Sequence, residues 1–357
     1  ASVLPGATAL LLLTFALLIL LPFVPGLIEV YWPRDRYPLP VNTGYTKDPR
    51  FYGRSARELL GAALDLAAAV PGDHEIVMSK PETVEVRDDW EIAAGAERDA
   101  IMVARGDLVV GEGAVCEREL FARGHARVGA HAVLRTLSCE ADATLARGVV
   151  LVRWLDCEGD VTVGPDASLG VSAAAGGSLV LADGVVFSRL FGSPVGTTGG
   201  GERPRPQPVP VSAPPVISVD EIVTIEDLTH FHRDDLTVSP GDVFARPLVV
   251  KGDLVLEAGA TVPHAVRVYG ELRLERGATV GGDAFVDGDV ALGEDAAVRG
   301  NVFTQGAVRL STGACVGVPG ACKSVIGKRE VELGACVVVH GYILTDGRGR
   351  VSCAGSS

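Results

Sequence analysis

In the second half of the chain, hydrophobic residues recur with a period that no helix produces. Gly252, Gly270, Gly288 and Gly306 stand 18 residues apart, and each opens the same phrase: GDLVLEAGATV, GELRLERGATV, GDVALGEDAAV and GAVRLSTGACV. Eighteen divides into three sixes. Steps of six from Leu254 meet Leu254, Ala260, Val266, Leu272, Ala278, Ala284, Val290, Ala296, Val302, Val308 and Ala314. Steps from Leu256 meet Leu256, Val262, Val268, Leu274, Val280, Val286, Leu292, Val298, Thr304, Leu310 and Val316, with Thr304 the one polar interruption. Each six supplies a short strand with two inward side chains two residues apart, then a corner where Gly, Asp and Asn tolerate a sharp turn. Three such faces close one coil. The pattern predicts an all-β fold, a triangular parallel β-helix (β-solenoid) of about 18 residues per coil with a continuous apolar interior.

The phrase also occurs upstream, at Gly106 with Leu108 and Val110, Gly159 with Val161 and Val163, and Gly177 with Leu179 and Leu181. A one-residue slip between these copies predicts a shortened corner near Ser138 to Asp142. Downstream, Gly313-Ala314-Cys315-Val316 returns as Gly334-Ala335-Cys336-Val337 after 21 residues, which predicts three extra residues around Cys322 to Lys328. Residues 101–192 are thus read as a first solenoid block and 244–346 as a second, each of about five coils. Between them, 193–243 form a Gly/Pro-rich linker and insertion, in which Val219 to Phe231 could be a short helix, and 347–357 form a C-terminal tail. The pattern leaves open whether the blocks form one interrupted solenoid or two packed ones.

The N-terminal hundred residues follow other rules. Residues 1–28 carry no charge, and Pro5 to Leu21 is an almost unbroken apolar run containing Leu10, Phe15, Leu18 and Leu21, with Phe23 just beyond. As a helix it would rise about 26 Å, close to the roughly 30 Å of a bilayer core. It has no basic start and no small-residue cleavage site, so residues 1–30 are expected to be a retained transmembrane anchor rather than a signal peptide. Arg34, Arg36, Lys47, Arg50, Arg54 and Arg57 all follow the run, which places the bulk of the chain in the cytoplasm of a single-pass inner-membrane protein. Tyr31, Trp32, Tyr37, Tyr45, Phe51 and Tyr52 in the same stretch suggest an interfacial aromatic belt. Within the juxtamembrane and helical capping region, 31–100, Ser55-Ala56-Arg57-Glu58 reads as a capping box opening a helix from Ala56 to Val70.

Composition narrows function by exclusion. The 45 acidic residues outnumber 32 basic ones, giving a net charge of -13, and aromatics are only 5% of the chain. Both argue against nucleic acid as a partner. No phosphate-binding phrase is present, since Cys322 precedes Lys323-Ser324, so no nucleotide is expected. Seven cysteines without CxxC spacing read as reduced thiols. Cys116 and Cys157 fall on inward columns, and Cys315 and Cys336 on matching outward places of adjacent coils. His125 and His131 should point outward from different faces and cannot share an ion within one chain. His230-Phe231-His232 with Asp234 and Asp235 could aim alternate ligands one way, although such a stretch is commonly a polar loop. His264 and His340 read as solvated corner residues. No catalytic residue, cofactor or metal is therefore assigned.

The GDLxLxxGAxV phrase with its 18-residue repeat resembles the bactofilins, bacterial polymer-forming cytoskeletal proteins, most convincingly over Gly252 to Val316. The resemblance implies a right-handed triangular β-helix that associates end to end without nucleotide, often beside a membrane. The chain departs from that pattern in its two blocks, long insertion and N-terminal region. The expected function is a non-catalytic, membrane-anchored scaffold. Its expected partners are membrane lipid together with subunits of a large membrane complex, respiratory or photosynthetic, which it would brace as an accessory subunit. The alternative is a bactofilin-like polymer assembled through solenoid ends. A contrasting class is the hexapeptide-repeat acyltransferase or carbonic anhydrase-like enzyme, which would need convergent His or carboxylate groups in a cleft between subunits.

Overall fold

The computed structural model describes residues 4–24, 48–68, 74–77, 83–199 and 229–353. The chain divides into two units, Ala1–Lys47 and Asp48–Ser357. The first contains helix α1, Leu4–Leu20, followed by a 3-10 turn at Leu21–Phe23. Pro22 has no N–H to continue the ladder, so α1 stops after 17 residues. Among the described residues no helix is long and apolar enough to cross a membrane. The span expected of residues 1–30 is thus a shorter helix, and Tyr31 and Trp32 lie outside the described residues.

The second unit opens with helix α2, Phe51–Ala68. It starts five residues before the expected Ala56 because Asp48, not Ser55, caps it. The Asp48 carboxylate accepts the Arg50 amide at 2.9 Å, and the Asp48 carbonyl accepts the Phe51 amide at 3.1 Å. Strand His74–Val77 then pairs antiparallel with Thr83–Arg87 and lies along the edge of the first coil.

Parallel coiling begins at Thr83, not 101: Val84–Arg87 pairs with Ile101–Ala104, and Trp90–Ile92 with Leu108–Val110. That coil opens Asp-Asp-Trp where later copies have Gly-Asp-Leu, which hides it from the repeat. The first block ends in a 12-residue strand, Val186–Thr197, beyond the expected 192. The second starts at His230–His232, which pairs with Leu248–Val250, so the stretch assigned to the linker already contains a coil. Phe231, expected at the end of a helix, is in this strand, while 219–228 lie outside the described residues. Coiling continues to Val351, where Glu330–Leu333 pairs with Arg348–Val351.

All 22 residues of the two inward columns are buried, none more than 5% exposed. Thr304 is tolerated because its hydroxyl donates to the Gly288 carbonyl and accepts the Gly306 amide. The predicted core residues Leu108, Val110, Val161, Val163, Leu179 and Leu181 are equally dry.

The Gly-Asp phrase has a physical cause. The Asp253 carboxylate accepts the Glu271 amide one coil on at 2.7 Å, and the same bond joins Asp107 to His125, Asp160 to Ser178 and Asp235 to Asp253. The residue before each such amide lies against the carboxylate: a Cβ on Gly270 would stand 2.1 Å from Asp253 Oδ1. A glycine is required there.

A second corner recurs once per coil in the left-handed region, filled by Gly113, His131, Gly148 and Asp166 in the first block and by Gly277, Asp295, Gly313 and Cys336 in the second. These corners fix the true register. Cys116 pairs with Leu134 but Glu119 with Thr136, so the shortened corner is at Arg135, upstream of the expected site. Cys315 pairs with Val338, a step of 23, so the enlarged coil carries five extra residues over the 18-residue repeat, centred on a small loop closed by the Val318 to Ala321 bridge. Cys336 corresponds to Gly313, and Cys315 and Cys336 do not occupy matching places.

The two blocks meet end to end with the chain direction reversed. Strand Val186–Thr197, the last coil of the first block, pairs antiparallel with Val338–Val351, the last coil of the second. All three faces continue across the joint, through Val195 with Val339, Leu190 with Ile343 and Val186 with Arg350. One face alone then holds fourteen consecutive strands from Thr83–Arg87 to His230–His232. Thirteen spacings of about 4.8 Å make the unit a rod of roughly 62 Å.

Candidate functional site

A β-solenoid acts through what its faces and ends hold, and α2 is held on the fourteen-strand face. On that face, alternate residues of each strand point away from the main core. Val103 and Phe121 do so, yet they are at most 1% exposed because Leu60 of α2 packs over them in a separate apolar cluster with Val84 and Val86. Two coils further on, the covered outward position is Asp156, also 1% exposed. Arg50 Nη2 and Arg57 Nη1 reach its Oδ1 at 2.9 and 3.1 Å, and the same arginines reach Glu158 at 2.9 and 2.6 Å. Tyr52 stacks on Trp154 with ring centroids 4.7 Å apart. Gly53 lets the helix backbone approach, since a Cβ there would strike the Asp156 carboxylate.

The two acids answer this environment differently. Burial pushes Asp156 above the usual carboxylate range, although both guanidiniums pull it down. Glu158, whose side chain is 42% exposed, is lowered by its hydrogen bond from Arg50. Burial also pushes the Tyr52 phenol up to about 12. The result is a dry clamp with an ionic centre. Phe51 and Tyr52, expected in an interfacial belt, belong to α2, and Tyr52 is part of the clamp.

The end of the second block away from the joint is different. His230 and His232 occupy the inward columns, in register with Leu248 and Val250, so among the described residues the core ends in two imidazoles with centroids 6.2 Å apart. His230 meets Phe244 edge to face. Phe231 and Val243 are exposed at this end. Among the described residues, no group of three or more His, Cys, Asp or Glu side chains is placed to hold a metal ion.

The remaining candidates lie at corners or in the core. His125 accepts the Asp142 amide and faces that carboxylate, and His131 is a left-handed corner. Cys116 and Cys157 are buried, and burial pushes the Cys116 thiol up to about 11. Cys139 pairs with Cys157 on the adjacent coil, a stacked pair of buried thiols that the column count did not single out. Cys336 donates to the Gly199 carbonyl, and Cys353 donates to that of Thr198 at 2.8 Å. An open groove of about 820 Å³ is lined by Asp289, Glu330 and Asp346 against Arg309, Lys328 and Arg329, and so favours neither sign of charge.

Leu10, Phe15, Leu18, Leu21 and Phe23, expected from the sequence to form a membrane anchor, are all exposed. Leu254, Leu256, Val262, Val268, Leu272, Leu274, Val280, Val290, Leu292 and Val298 are all in the dry interior. The sequence reading missed Arg50, Arg57, Trp154, Asp156 and Glu158. An acid at an outward position between Ser138 and Ala174 was the only signal, and outward acids are ordinary. No model of a known protein family matches the chain, and no curated protein and no solved structure matches it.

Proposed function

We propose that this protein is a non-catalytic scaffold, a rigid β-solenoid rod that associates with a membrane through α1 and braces other subunits there. The observation that carries this reading is the reversed joint. Two solenoid blocks spend their C-terminal edges on each other, in one core with three continuous faces. An edge strand left open is a template for uncontrolled pairing, and joining the blocks tail to tail removes two such edges while doubling the rod. Helix α1 is apolar all round and its described side chains are exposed, a pattern that calls for an apolar environment. The basic residues after it favour a cytoplasmic rod at the inner membrane, with the accessory role in a large membrane complex as the specific form. No nucleotide, nucleic acid or cofactor enters this reading.

A second reading, a bactofilin-like polymer, is favoured by the exposed Phe231 and Val243 at the end of the second block away from the joint. Purification from membranes in mild detergent, followed by electron microscopy, separates the two. The scaffold reading expects discrete rods accompanied by membrane subunits in fixed ratio. Filaments of this chain alone would replace it with the polymer.

A further inference from the structure

The face that carries α2 continues across the joint, and beyond α2 it becomes apolar again. Helix α2 is 18 residues long, about 27 Å, and its Arg50 end reaches the coil of Asp156 and Cys157. From the last strand of the first block onward, the outward positions in successive strands are Phe191 with the exposed Arg189, then Tyr342 and Leu344, Ile326 with Ser324, Phe303 and Phe285, so the apolar side chains form a stripe beside two polar ones. Phe285 is 41% exposed and the other apolar residues are partly buried. Phe285 and Phe303 stack 5.3 Å apart. The stripe ends at Arg267, which pairs with Asp287 at 2.8 Å.

We propose that this stripe is the docking site for an amphipathic helix of a partner protein, laid along the rod in line with α2. The proposal deepens the scaffold reading and rests on it, because it names the surface by which a braced subunit is held. Continuity argues for a helix. The same face, at Val103 and Phe121, is dry only because a helix covers it. Dimensions argue the same way. Five strands span about 19 to 24 Å, the length of 13 to 16 helical residues. A helix is about 10 Å wide, so the stripe covers on the order of 240 Å², far below the roughly 800 Å² per partner of a stable interface. Face-to-face pairing of two copies through this stripe alone is therefore too small, whereas a helix belonging to a subunit with further contacts is not.

The test is photo-crosslinking of the full chain in its own cells, with benzoylphenylalanine in place of Phe303 and the adduct mapped by mass spectrometry. The expected product joins Phe303 to a single segment of another polypeptide whose apolar residues recur three and four apart. Phe285→Asp with Phe303→Asp, outward changes that spare the core, should then lower recovery of that polypeptide at least tenfold, with an unchanged far-UV circular dichroism spectrum. Phe303→Ser alone should give a smaller loss in the same direction. Adducts confined to a second copy, to lipid or to this chain itself would overturn the proposal, as would recovery unaffected by the double substitution. If the wild-type rods carry partner subunits and only the stripe variants fail to matter, the docking site falls and the scaffold stands. If wild-type rods carry no partner at all, both fall.

Discussion

Replacing Gly270 by Ala tests why the repeat opens with glycine. An added Cβ would lie 2.1 Å from Asp253 Oδ1 and 2.7 Å from both the carbonyl carbon and oxygen of Gly252. The carboxylate must move, which gives up its 2.7 Å bond to the Glu271 amide. A hydrogen bond to a charged group contributes about 1.5–3 kcal/mol, and overpacking costs about 1–3 kcal/mol, so the substitution should cost roughly 3–5 kcal/mol near that coil. Asp253→Ala alone should cost about 1.5–3 kcal/mol through the lost bond. In that background Gly270→Ala meets only the Gly252 backbone and should add no more than about 1–3 kcal/mol, so the two changes are less than additive. The control is Gly277→Ala. Gly277 has φ +66° and nothing within 4 Å of an added Cβ, so only left-handed strain of about 1–2 kcal/mol applies. Urea unfolding followed by circular dichroism gives the overall loss, and hydrogen exchange at the amides of 270–274 localises it, since solenoid stability is built from neighbouring coils. Gly270→Ala no more costly than Gly277→Ala, or strict additivity with Asp253→Ala, would refute the explanation.

The remaining predictions concern the clamp, the core, pH and the apolar helix. Arg50→Ala with Arg57→Ala strands the buried Asp156 charge and should destabilise α2 docking by about 3–5 kcal/mol, seen as rapid exchange or proteolysis across 51–60; adding Asp156→Ala should recover part of the loss. Leu256→Ala should cost about 2–5 kcal/mol in urea, whereas Val255→Ala on the outward face of the same strand should stay within about 0.5 kcal/mol. The backbone bond from Ala307, together with Arg329, holds Asp289 below the usual carboxylate range, so its contribution is present above the ordinary value of about 3.9 and is lost as pH falls through the lowered one; Asp289→Asn should flatten the acid limb of the stability profile, and an unchanged limb would contradict this. Leu13→Arg with Leu17→Arg in α1 should move the chain from the membrane fraction to the soluble one on flotation.

The interior was legible because a dry column leaves a periodic trace that side chains must obey. Leu254 through Val316 kept step for that reason, and Thr304 fitted because its hydroxyl closes a corner. Registers were read less well where a phrase imitated the period. Gly334-Ala335-Cys336-Val337 looks like Gly313-Ala314-Cys315-Val316, but the backbone puts Cys336 in the left-handed corner of Gly313, and non-glycine residues at such corners leave no distinctive letter. Helix α2 was placed late because Ser55 and Glu58 form a plausible capping box inside a helix that Asp48 had already opened. The joint left no trace, since antiparallel pairing of Val186–Thr197 with Val338–Val351 is written in backbone hydrogen bonds that any residues supply. The clamp was invisible because Asp156 is buried only by a helix about a hundred residues earlier in the chain.

The reversed joint is best tested by a pulsed electron paramagnetic resonance distance between spin labels at Val109 and Thr237, both exposed and near opposite ends of the rod. A little over eleven coil spacings separate them along the axis, so the account predicts a single narrow distance of roughly 55 Å. A distance below about 30 Å, as two solenoids packed side by side would give at a sheet separation of about 10 Å, would contradict it.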